Sequence, residues 1–147
     1  MASTRAQDSS GRTAGLTRSN SEIVRDAFDW WNEDRESFIE IVDPDAEISV
    51  ASSEVTGGRP FRGHEGYRRW IATMEESFEV WELCPQSFDE RGDTVLVLGT
   101  MCLRGRGSGL ELDQETGWLV DVRDGKLLHL RSYLSHAEAR DAFGREP

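Results

Sequence analysis

"RDGKLLHLRSYLSHAEARDAFG", residues 123–144, decides the architecture of this chain. Its opening Arg-Asp-Gly-Lys is hairpin chemistry, because a tight Asp-Gly turn accommodates the positive φ angles that match strand twist. The strand that follows alternates. Leu128, Leu130, Ser132 and Leu134 fall on one face, and Leu127, His129, Arg131 and Tyr133 on the other. A hydroxyl, Ser132, thus sits in the middle of an oily face. Ser135 then caps a short helix over "SHAEARDAFG".

Upstream of the hairpin the pattern is also strand. "LELDQETGWLVDV" puts Leu110, Leu112, Trp118, Val120 and Val122 on one face, with Glu111, Asp113, Glu115 and Asp121 opposite. "DTVLVLGTMCL" is apolar on both faces, so both sides need cover. Thr100 and Cys102 share the alternation of Leu96 and Leu98 and are expected to point inward. "VWELCPQSF" is weakly patterned and held by Pro85. Before it runs the clearest helix of the chain, "HEGYRRWIATMEESF", with Tyr67, Trp70, Ile71, Met74 and Phe78 on one apolar face. His64 lies three residues before Tyr67 and projects from the same face.

The N-terminal third is helical. "SNSEIVRDAFDWWNED" opens on capping-box spacing between Ser19 and Glu22, and Val24, Ala27, Phe28 and Trp31 form a buried stripe. Asp26 falls opposite that stripe. A second helix, "RESFIEIV", adds Phe38, Ile41 and Val42 before "DPD" stops it; "AEISV" reads as a strand and "TGGRP" as a turn. Residues 1–18, rich in Ser, Thr, Gly and Arg, read as a flexible tail that cannot bury enough surface to offset its ordering entropy. One domain, 19–147, follows.

Composition bounds the function. The chain has 147 residues, enough for one domain with a real core. Its net charge of −11 argues against nucleic acid or an anionic membrane as the main partner, since phosphate binding requires a basic surface. No apolar run reaches membrane-spanning length, and no signal-peptide core opens the sequence. Cys84 and Cys102 lie far apart with no Cys or His at ligand spacing, so no metal site is expected. Both read as reduced thiols of a cytoplasmic protein. "GRGSG" lacks the lysine and helix of a phosphate loop. Arg59, Arg62, Arg104 and Arg106 could rim a cavity mouth; the commoner reading is surface ion pairing.

Helices, one strand, a long helix and then three or four antiparallel strands make an α+β arrangement: a curved, mainly antiparallel sheet with helices on its concave face, closing as a cone on a pocket. This order resembles the SnoaL-like branch of the nuclear transport factor 2-like superfamily. The likeness is carried by "DPDAEI", "FRGHEGYRRW", "RGRGSG" and the quoted C-terminal stretch, together spanning residues 19–144. It implies a conical α+β barrel with an apolar cavity, often dimeric through the convex sheet face. Relatives include polyketide cyclases, a ketosteroid isomerase, epoxide hydrolases, dehydratases and proteins that only bind. Catalytic members use carboxylates, His or Tyr in the cavity for general acid–base chemistry.

On that resemblance, Ser132 occupies the slot of the cyclases' and epoxide hydrolases' aspartate, while Val50 and Trp118 occupy those of the steroid isomerase's base and acid. None of the three can do that chemistry. The expected cavity wall comprises Trp31, Val50, Tyr67, Trp70, Ile71, Met74, Thr100, Cys102, Trp118, Val120, Leu130 and Leu134. His64 is the acid–base candidate, because it titrates in the right range. Its competing role is a bond to a loop carbonyl. Ser132 either binds a ligand or satisfies backbone; Trp118 is wall, or orients a ligand oxygen through its indole. The outer-face residues His129, Arg131 and Tyr133, with the apolar outer side of "VLVLGTMCL", are expected to form a homodimer surface. The chain is therefore read as a pocket protein for a small hydrophobic molecule. The alternative is a cofactor-independent isomerase, cyclase, hydratase or dehydratase; no cofactor is implied.

Overall fold

The structure, a computed structural model, describes residues 19–49 and 61–145. Helix α1 (Asn20–Glu33) starts with the expected capping box: the Glu22 amide donates to Ser19 Oγ at 3.1 Å, and the Ser19 amide donates to Glu22 Oε1 at 2.9 Å. Val24, Ala27, Phe28 and Trp31 are its buried stripe. Asp34 ends α1 and caps α2 (Arg35–Glu40), accepting from the Glu36 amide and the Ser37 hydroxyl. Strand β1 (Val42–Ser49) begins where the sequence predicts helix, and the Asp-Pro-Asp segment forms an irregular part of it. Proline at 44 withholds a ladder donor there, so the register with the next strand slips between Val42 and Glu47. Strand β2 (Phe61–Arg62) pairs with β1 and leads into α3 (Gly63–Ser77).

Four antiparallel strands follow: β3 (Phe78–Arg91), β4 (Thr94–Gly105), β5 (Glu111–Arg123) and β6 (Lys126–Tyr133). The sheet order is β2-β1-β6-β5-β4-β3, with β1 parallel to β6 and the rest antiparallel. This is the expected curved α+β sheet, unclosed, with β2 and β3 at its edges. The weakly patterned "VWELCPQSF" belongs to the long edge strand β3. Helix α4 (His136–Gly144), capped by Ser135 as predicted, follows β6.

The apolar character of both faces of β4 is explained by two separate cores. On the concave side, Val95, Val97 and Leu103 pack with α1, α2, α3, Trp118 and Val120. On the other side, Leu96, Leu98 and Leu119 pack with Ala139, Ala142 and Phe143 of α4, and Tyr133 joins them. The chain's own helix thus covers apolar surface that the sequence reading assigned to a second copy. Gly117 makes room for α4: a Cβ there would stand 2.3 Å from the Ala139 Cβ.

Two corrections of parity follow from register. Trp118 pairs with Val97, so Val95 and Val97 share its inward face and Leu96 and Leu98 face out; Thr100 and Cys102, on the Leu96 parity, face out with them. A bulge between Asp121 and Val122 and their partners exchanges the roles of the leucines at the start of β6. Leu127 is buried in the inner core, and Leu128 is the extra residue of the bulge. The Asp124–Gly125 turn has φ of 52° and 78°, as the hairpin reading requires.

Candidate functional site

Between α1, α3 and the concave sheet lies an aromatic-walled cavity of about 70 Å³. Four tryptophans form its frame. Trp31 comes from the buried stripe of α1, Trp70 from the apolar face of α3, Trp81 from β3 and Trp118 from β5. The Trp31 ring centroid lies 4.6 Å from Trp81, 5.2 Å from Trp70 and 5.0 Å from Phe38, while Phe28 meets Trp118 edge to face at 5.1 Å. Such edge-to-face pairs add roughly 0.5–1.5 kcal/mol each beyond area burial, so the frame is stiff. Met74, Met101 and Leu134 complete the wall, and Leu134 is 46% exposed, which places it at the mouth.

Ser132 lines this cavity, directly across the ladder from Trp118. The hydroxyl on the oily face of the quoted strand is therefore the cavity's polar spot. A second polar group was not foreseen as one. Trp31 is only 2% exposed, and its indole Nε1 has no hydrogen-bond partner among the described residues. The Trp81 indole, by contrast, donates to Met101 Sδ at 3.4 Å. Arg35 stacks on two of these rings, its guanidinium 4.9 Å above the Trp31 ring and 5.1 Å above Trp81. Its charge is matched by Glu75 at 2.5 Å, and it donates to the Trp81 carbonyl. Every lining side chain among the described residues is neutral and untitratable near neutrality.

Of the predicted site residues, Trp31, Trp70, Met74, Trp118, Leu130, Ser132 and Leu134 come together around the cavity. Tyr67, Ile71 and Val120 are buried in the surrounding core but do not line it. The Tyr67 hydroxyl points to the Glu47 carbonyl at 3.5 Å, and burial pushes its pKa far up. Val50 and Arg59 lie outside the described residues. Thr100 and Cys102 sit on the opposite face, for the register reason above. His64 is half-buried, lies off the cavity, and its Nε2 is 2.6 Å from the Val42 carbonyl. That bond ties the start of α3 to β1, which is the structural role the sequence left open. Arg104 pairs with Glu79 and Glu111, Arg62 with Glu47, and Arg106 donates to the Glu75 and Phe78 carbonyls; these are surface contacts.

The outer-face trio is also engaged. Asp121 accepts from Thr94 at 2.6 Å, and its other oxygen lies 3.0 Å from His129 Nδ1 and 3.6 Å from Arg131. Tyr133 packs against the α4 core. Sequence reasoning missed Phe28, Phe38, Ile48, Trp81, Leu83, Met101 and Leu127 as lining residues, though it placed Phe28 and Phe38 among the apolar helix residues. For Met101 and Leu127 the signal was parity, which a register or a bulge decides; for Trp81 and Leu83 it was a proline-broken edge strand. Among the described residues no helix is long and apolar enough to cross a membrane.

The family model of the SnoaL-like domain matches residues 24–130. No curated relative matches the chain's sequence. Solved structures do match. TerC, crystallised with polyporic acid, superposes with a TM-score of 0.71 at 22% identity, covering 83% of this chain and 95% of its own. A protein of Jannaschia sp. CCS1 named for the SnoaL-like polyketide cyclases gives 0.68 at 21%, covering 90% and 100%. A protein of Catenulispora acidiphila DSM 44928 with a ketosteroid isomerase-like fold, in complex with trimethylamine, gives 0.67 at 16%, covering 84% and 92%. At these identities the structures speak for the fold alone. The chain belongs to the SnoaL-like family.

Proposed function

We propose that this SnoaL-like protein binds a small, largely apolar molecule bearing one hydrogen-bond-accepting oxygen, without acting on it by the acid–base mechanisms of its catalytic relatives. The observation that carries this reading is the buried Trp31 indole N–H, which has no partner among the described residues, in a largely apolar wall. A buried donor without a partner costs about 1–3 kcal/mol, which a ligand oxygen recovers on binding. Ser132, across the ladder from Trp118, supplies a second hydrogen-bonding group in the lining. An acid–base step needs a titratable group within reach of the substrate, and His64 is committed to Val42 instead. Structures of the same fold crystallised with polyporic acid or in complex with trimethylamine support a ligand-holding role in general.

The cavity's size sets the ligand's. An apolar cavity of about 150 Å³ takes benzene; at about 70 Å³ this one admits a few heavy atoms unless its wall gives way. Met74, Met101 and the half-exposed Leu134 are the adaptable wall, since unbranched thioethers re-pack readily. The test is a fluorescence titration with cyclohexanone and with benzene, comparing wild type, Trp31→Phe and Ser132→Ala. The expected result is that wild type prefers the ketone and that Trp31→Phe loses roughly 3- to 10-fold for the ketone alone, the worth of one hydrogen bond, with a smaller loss for Ser132→Ala. Equal affinities of wild type and Trp31→Phe for cyclohexanone would overturn the reading.

A further inference from the structure

The two cysteines, 18 residues apart in sequence, meet on the outer face of the sheet, with Sγ atoms 3.2 Å apart. Register explains the meeting. Glu82 pairs with Cys102 and Cys84 with Thr100, so the thiols are a diagonal cross-strand pair on the face away from the cavity. The strands are pressed together here by Gly99, opposite Pro85, where even a Cβ would stand 2.3 Å from the Cys84 carbonyl oxygen. Cys84 is exposed and Cys102 half-exposed, so reagents can reach them.

We propose that Cys84 and Cys102 form a thiol–disulfide site, closed by peroxide into a bond that staples β3 to β4. A disulfide needs its sulfurs at about 2.05 Å, so the thiols must approach by roughly 1.2 Å. The edge position of β3 and its irregularity between Pro85 and Ser87 supply that freedom: no strand lies beyond it among the described residues, and proline withholds a ladder bond. With peroxide, the Cys84 thiolate attacks one oxygen and breaks the O–O bond, giving a sulfenic acid and hydroxide. Cys102 sulfur then displaces the sulfenic oxygen as water, forming the S–S bond. Overall two thiols are oxidised, one peroxide is reduced and two waters leave. The order follows from access and from acidity. The Cys102 thiol is a weaker acid than an ordinary cysteine, pushed up to about 12 first by its hydrogen bond with Cys84 and then by burial. This site is independent of the ligand reading, since it lies on the other face.

The test uses the folded full chain with hydrogen peroxide, followed by intact mass, thiol titration and a non-reducing tryptic map. Cys84 and Cys102 fall in different tryptic peptides, residues 70–91 and 92–104. The expected result is a monomer lighter by about 2 Da with the two peptides linked, both thiols lost, and full reversal by dithiothreitol. Cys84→Ser and Cys102→Ser each abolish the intramolecular species. The proposal is overturned if native protein keeps both thiols titratable while urea-unfolded protein oxidises. It is equally overturned if the product is a link between chains or separate over-oxidised cysteines.

Discussion

Replacing Gly117 with alanine probes the contact that decides how the outer face of the sheet is covered. The new methyl would stand 2.3 Å from the Ala139 Cβ, against a resting carbon–carbon separation of about 3.5–4.0 Å. Helix α4 must therefore retreat by more than about 1 Å, or the strand must buckle, and overpacking of this kind costs about 1–3 kcal/mol. Ala139→Gly removes the obstructing atom at its own cost: about 1 kcal/mol of helix propensity and about 0.8 kcal/mol for the lost buried methyl. In the double variant the methyl introduced on β5 fills the space vacated on α4, so that variant should be no less stable than Ala139→Gly alone. The cycle then shows a coupling of about 2 kcal/mol between the sites. Urea unfolding followed by tryptophan fluorescence measures each corner. Gly117→Ala should also lower Tm by roughly 5–10 °C and, by loosening α4 over Leu96, Leu98 and Leu119, raise self-association on size exclusion. A Gly117→Ala cost below about 0.5 kcal/mol, or costs that simply add in the double variant, would refute the reasoning.

Three further outcomes are expected. Asn32 donates to the Leu83 carbonyl at 2.7 Å and accepts from the Leu83 amide at 2.9 Å, so it satisfies the edge of β3. Asn32→Ala should destabilise the fold by about 1–3 kcal/mol and speed hydrogen exchange at the Leu83 amide; unchanged exchange there would refute that role. Asp43 accepts from the Asp45 amide at 2.8 Å and from Arg123 at 3.1 Å, and these bonds hold its carboxyl below the ordinary carboxylate range despite the opposing effect of burial. A lowered folded pKa contributes stability that is present above the unfolded value, about 3.9, and lost as pH falls through the folded one. Asp43→Asn should thus flatten the acid end of a Tm-against-pH curve, and superimposable acid limbs would speak against it. Iodoacetamide near pH 8 should label Cys84 before Cys102, whose thiol is raised to about 12; peptide mapping that finds Cys102 labelled first contradicts the assignment.

What the sequence determined by itself were the features carried by local chemistry and by period. Ser19 and Glu22, Ser135, the Asp124–Gly125 turn and the stripe from Val24 to Trp31 are read correctly because capping, turn and helical spacing involve residues close in the chain. The family likeness likewise rested on the order of such elements. Ser132 was placed in the inward slot because a period of two holds along its stretch of β6.

Tertiary structure alone decided which face is which on β4, since "VLVLGTMC" is apolar on both sides and only its pairing with Trp118 sets Val97 in and Leu96 out. It decided Leu127 over Leu128, because a bulge shifts parity without leaving a mark in hydrophobicity. It brought Cys84 to Cys102 through a diagonal register, held His64 on the Val42 carbonyl, and left the Trp31 indole without a partner among the described residues. Each of these depends on which distant backbone or side chain a group meets, a matter of long-range packing on which spacing along the chain is silent.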